Sequence, residues 1–125
     1  MNIDIKVIPH NQQRYETVGD WFYTKSGNLS IRVSELGDWR YELLVAIHEL
    51  IEVALCRYSH ITQLQADNFD IAYEKARKRG DESEPGDDPA CPYRIQHLLA
   101  TGIEKILAAL LNVDWQAYDK KVMSL

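Results

Sequence analysis

The chain has 125 residues, the size of one ordinary domain, and at 46% hydrophobic it can build a core, which excludes a disordered tail. Its net charge of −5 excludes nucleic acid as the main partner, because neutralising phosphates needs basic clusters and the one basic run, Lys75 to Arg79, is followed at once by the acidic stretch Asp81 to Asp88. No apolar run is long and charge-free enough to read as a membrane span.

The opening segment MNIDIKVIPH has no basic stretch followed by a long apolar one, so no signal peptide is expected. Residues 1–125 read as a single domain. Within it, IDIKVIP alternates apolar and polar residues, the period of a half-buried strand, and Pro9 ends it. WFYTKSGNLSIRVSE follows, two β-prone runs around the polar turn Lys25-Ser26-Gly27-Asn28, which reads as a hairpin. Three short strands in a small antiparallel sheet are therefore expected to open the chain.

Asp38 is a suitable N-cap for a first long helix. Leu43, Leu44, Ile47, Leu50, Ile51, Ala54, Leu55 and Tyr58 form its apolar stripe. His48 and Glu52 project together beside one border of that stripe, and Glu49 lies further round toward the polar side. Thr62 and Gln65 fit a capping box opening a second helix, with Phe69, Ala72, Tyr73 and Ala76 as packing residues and Gly80 as its stop. GDESEPGDDPACP is a loop, whose acids Asp87 and Asp88 are expected to be solvated. A third helix from about Tyr93 to Asn112 carries the stripe Ile95, Leu99, Ile103, Ile106, Leu107, Leu110 and Leu111, expected in the core. DWQAYDKKV reads as a short terminal helix packing Trp115 and Tyr118. Strands first and helices after give an α+β class, a small sheet against three main helices.

Polar chemistry concentrates on the first and third helices. Residues four apart are neighbours on a helix, so His48 and Glu52 can share one divalent ion, with Glu49 beside them. His-Glu-Leu-Ile-Glu is one residue away from the H-E-x-x-H helix, in which the Glu is the general base that activates water. On the third helix His97, Thr101 and Glu104 share a face. His48, Glu52 and His97 would make two imidazoles and a carboxylate, the ligand set of many catalytic zinc sites, with Glu104 as an outer partner or further ligand. The second helix adds an acidic row, Asp67, Asp70 and Glu74. All-oxygen clusters favour Mg²⁺ or Mn²⁺, although acids early in a helix also simply complement its dipole. The plain alternative is a hydrogen-bonded His48–Glu52 pair at the core boundary and a solvated His97–Glu104 face. Cys56 and Cys91 lie too far apart for a C-x-x-C motif and suggest reduced thiols in a cytoplasmic protein.

A hairpin ending in IRVSE followed by a capped helix with AIHELIE resembles the minimal zincin-like metalloproteases over residues 29 to 58. The longer pattern IHELIE, FD, GDDP, PYR, H and IE resembles small uncharacterised proteins of phages and prophages. The first resemblance implies a zinc hydrolase with Glu49 as base and a substrate, a peptide, across the sheet edge. Glu49-x-x-Glu52 with Asp67-x-x-Asp70 also resembles the paired acidic motifs of MazG-like nucleoside triphosphate pyrophosphatases over residues 45 to 79, which implies magnesium. A third reading is a small interaction protein that uses the helices as a core, with or without an ion. The sequence leaves room for a homo-oligomer.

Overall fold

A computed structural model describes residues 1–125. Strands β1 (Ile3–Ile8), β2 (Gly19–Tyr23) and β3 (Leu29–Ser34) are followed by helices α1 (Trp39–Tyr58), α2 (Gln63–Ala76), α3 (Arg94–Leu110) and α4 (Trp115–Met123). Short 3₁₀ turns lie at His10–Gln12 and Pro85–Asp87. The fold is α+β: a three-stranded sheet packed with four helices. No helix is long and apolar enough to cross a membrane.

The sheet corrects one expectation. Its order is β1-β3-β2, and β1 pairs with β3 in parallel, Ile5 opposite Ile31, while β2 and β3 form the expected antiparallel hairpin. The sheet is therefore mixed rather than antiparallel. Residues 9–18 carry the chain from one edge strand to the other, so β3 returns into the centre running the same way as β1. Alternation marks a strand but says nothing of its neighbour.

Leu29, Ile31 and Val33 on β3 are buried with Leu44, Val45, Val53 and Cys56 of α1. Asp38 caps α1, accepting from the Arg40 amide at 2.9 Å, and the Thr62–Gln65 capping box of α2 is formed in both directions. α2 ends at Ala76 rather than Gly80, because Arg77 turns extended and donates to Glu74 at 2.7 and 2.8 Å. Of its expected packing residues, Phe69 and Tyr73 are half-buried, Ala72 and Ala76 are exposed, and Ala66 is the buried one.

Two helices bury a face that their apolar stripes do not mark. α1 packs against β2 and β3 on one side and α3 on the other. Its buried arc is therefore wide, and it takes in His48 and Glu52 while leaving Leu43, Ala54 and Tyr58 exposed. α3 buries His97, Ala100, Glu104 and Ala108. Ile95, Leu99, Ile103, Ile106 and Leu110, expected in the core, point to solvent, and only Leu107 and Leu111 pack partly against it. The two alanines let α3 approach α1 closely, so the interior between the helices holds polar side chains.

Candidate metal centre

That helix interface brings His48, Glu52 and His97 together. The i,i+4 spacing on α1 sets His48 Nε2 3.1 Å from Glu52 Oε2. α3 delivers His97 Nδ1 to 3.0 Å from the same oxygen and 3.1 Å from His48 Nε2. The three atoms form a nearly equilateral triangle. A single tetrahedral ion with bonds of about 2.0–2.1 Å sets its donors roughly 3.3 Å apart. All three side chains are buried.

Each imidazole has its far nitrogen engaged. His48 Nδ1 lies 2.8 Å from Glu104 Oε1, and His97 Nε2 lies 2.9 Å from Glu84 Oε2, with Asp87 Oδ1 at 3.5 Å. A carboxylate only accepts, so each far nitrogen carries the proton in a neutral ring. The near nitrogens then present lone pairs to each other and to Glu52. In that tautomer the three near atoms are all acceptors and one cation would join them; with the rings protonated, the same atoms form hydrogen bonds from the imidazoles to Glu52. Carboxylates behind metal-bound histidines fix the ring tautomer in this way. Tyr118 of α4 extends the chain of contacts by donating to Glu104 Oε2, and Trp21 of β2 donates to Glu52 Oε1 at 3.1 Å.

The electrostatics favour positive charge. Burial alone would lower the His48 imidazole, yet hydrogen bonds to Glu104 and Glu52 carry it well above its ordinary range. His97 is likewise pushed down by burial but carried up to about 10 by Glu52 and Glu84. Burial would raise Glu52, and its bonds to both imidazoles hold it at about 2 instead. The field that would protonate these rings is one that attracts a divalent cation.

Glu49 is not on a solvated face. It is half-buried and lines a cleft of about 790 Å³ that also reaches His48, Glu52, His97, Asp67 and Asp70. Burial, then repulsion from Glu52, raises its carboxyl well above the usual range. A Cβ on Gly19 would sit 2.6 Å from Glu49 Oε1 and 2.7 Å from Val45 Cγ1, so β2 approaches α1 here only because residue 19 is glycine. Gly86 does the same on the other wall, where a Cβ would fall against the His97 ring.

The acids of α2 face the same cleft but are engaged. Asp67 accepts from Arg14 at 3.1 Å, and Arg14 also binds Asp20 at 2.7 Å. Asp70 accepts from Tyr15 at 3.1 Å and from Tyr93. Burial pushes Asp70 up to about 7 against those two hydrogen bonds. Glu74 pairs with Arg77. Cys91 and Cys56 are buried free thiols pushed up to about 12 by burial, outside the ligand triangle. His60 is exposed, and His10 binds Ser34 and Glu16 at the cleft edge.

Sequence reasoning missed Glu84 and Trp21 as partners of the site; Asp87 is exposed, as expected, although its carboxylate also reaches to 3.5 Å from His97 Nε2. Glu84-Pro85-Gly86-Asp87 could have signalled itself, since a glycine between acids in a loop permits close approach to a ring. No family model, curated protein or solved structure matches this chain, so its functional reading rests on the site.

Proposed function

We propose that the chain is a metal-dependent hydrolase whose ion, zinc, is held by His48, Glu52 and His97. The observation that carries the reading is the triangle of three ligand-capable atoms at 3.0–3.1 Å, with both histidines backed by carboxylates. Two imidazoles and one carboxylate suit zinc, and three protein ligands leave a position open. The ion would supply Lewis acidity that polarises a carbonyl and lowers the pKa of water. Glu49 takes the proton, because its carboxyl faces the cleft beside the triangle and no side chain occupies it. Glu104 and Glu84 hold the imidazoles with the correct nitrogen inward, and Trp21 keeps one oxygen of Glu52 turned away. The substrate, an amide such as a peptide, enters the cleft. Free Cys56 and Cys91 fit a reducing, cytoplasmic setting.

A magnesium-dependent pyrophosphatase is the second reading, favoured by the presence of Glu49, Glu52, Asp67 and Asp70 around one cleft. It is the weaker one, because Asp67 is committed to Arg14 and Asp70 to two tyrosines, and because two imidazoles suit zinc better than magnesium. The test strips the protein with a chelator, restores zinc or magnesium, and follows cleavage of a mixed peptide library and of nucleoside triphosphates. Zinc-restored peptide cleavage is expected. Magnesium-restored triphosphate cleavage would move the assignment to the second reading. Zinc uptake with neither cleavage would leave an ion in a non-enzymatic interaction protein.

A further inference from the structure

α3 turns its polar stripe inward and its apolar stripe outward. Ile95, Leu99, Ile103, Ile106 and Leu110 recur at i, i+4, i+8, i+11 and i+15 and are 64, 52, 41, 65 and 78% exposed. Gly102 and Ala109 lie among them, and no charged residue interrupts the face. The neighbouring helix continues it: Leu43 and Tyr58 of α1 are 40 and 85% exposed, with exposed Ala54 and half-buried Ile47 and Ile51 on the same side. We propose that this two-helix face is the docking surface for a second copy of the chain, giving a two-fold dimer in which α1 and α3 of both copies pack as a four-helix layer.

Area is the first argument. At roughly 200 Å² for a large apolar side chain, the seven strongly exposed residues offer on the order of 800 Å², about the contribution of each partner to a standard specific interface. A monomer seldom exposes an apolar patch above a few hundred Å². Charge is the second. The chain carries −5, and its acids gather in the cleft on the inward side of α1 and α3. Two copies can therefore meet through an uncharged face without like-charge repulsion. Shape is the third. Helices of 20 and 17 residues present rods roughly 30 and 25 Å long, and Ala54, Gly102 and Ala109 let facing helices approach closely. A face that meets its own copy about a two-fold axis closes as a dimer. A lipid surface fits less well. An interfacial helix exposes a Lys/Arg-rich polar face to water, whereas the polar face of α3 is buried against α1.

Sedimentation equilibrium of the purified chain, from low micromolar to submillimolar concentration, tests this. The expected species has twice the 14.5 kDa chain mass. Ile106→Glu and Leu99→Glu each place a charge on the face, and each is expected to weaken association roughly 30-fold or more, as loss of a central contact does, while helical circular dichroism is kept. Should either variant be insoluble, sedimentation of the unmodified chain decides alone. A 14.5 kDa species at every concentration overturns the proposal. So does a dimer that both soluble variants leave intact, and so does a monomer that floats with phosphatidylglycerol vesicles, which would give the face to a membrane.

Discussion

Glu49 and Glu52 differ by three positions and stand in different surroundings. Glu52 touches both imidazoles, whereas Glu49 has no hydrogen-bond partner among the protein side chains and faces the cleft beside Gly19. Glu49→Gln is expected to retain zinc, because the residue is outside the triangle, and to lower turnover by roughly 10² to 10⁴, the contribution of a positioned base. It should also be slightly more stable at neutral pH, since a buried carboxylate is replaced by a neutral amide. Glu52→Gln should lose zinc and turnover together. Paired metal analysis and kinetics check this, and zinc lost from Glu49→Gln but kept by Glu52→Gln would reverse the two roles. Asp70 gives a pH prediction at the same scale. Its folded-state value of about 7 lies above the ordinary 3.8. Its protonated form is thus favoured by folding, and the stability this gives is present below pH 3.8 and lost as pH rises through 7. Asp70→Asn keeps a donor and an acceptor for Tyr15 and Tyr93. It should match the unmodified protein near pH 4 and exceed it above pH 7 by about 1–2 kcal/mol, discounted for partial exposure. Urea melts at several pH values measure the gap, and a gap independent of pH would contradict the cause given.

The elements were legible where local chemistry decides and illegible where packing does. Asp38, the Thr62–Gln65 box and the turn at residues 25–28 fix their elements through short-range hydrogen bonds, and all three stand where the sequence puts them. Parallel pairing of β1 depends on a crossing that no local residue encodes. The stripe of α3 was legible as apolar and misleading as core, because burial also depends on which face a neighbour needs, and α1 takes the face with His97, Ala100, Glu104 and Ala108. His48, Glu52 and His97 could be grouped from helical spacing and ligand chemistry. Glu84 could not, because it arrives on a loop whose path is set by tertiary contact. That loop yields a prediction. Gly86 lies against the His97 ring, so Gly86→Ala should push the loop outward and take Glu84 from His97 Nε2. Zinc affinity should fall roughly 10- to 100-fold, the usual cost of losing a partner behind a ligand, with helical content unchanged. Titration calorimetry measures it, and equal affinity would show that Glu84 does not hold the ring.

The whole molecule is arranged around the cleft between its elements. The sheet supplies Trp21 and Gly19, α1 supplies His48, Glu49 and Glu52, and α3 supplies His97 and Glu104. The loop adds Glu84 and α4 adds Tyr118. On the proposed reading only the folded state gathers these ligands, so zinc would stabilise it by mass action: at a free concentration a thousand times Kd the gain would be about 4 kcal/mol. The most direct test of the central claim is X-ray absorption at the zinc edge of the untagged, zinc-loaded protein. One zinc per chain is expected, with two imidazole nitrogens and carboxylate oxygen at about 2.0–2.2 Å. An all-oxygen shell, a single imidazole, or a chain that takes up no zinc would contradict it.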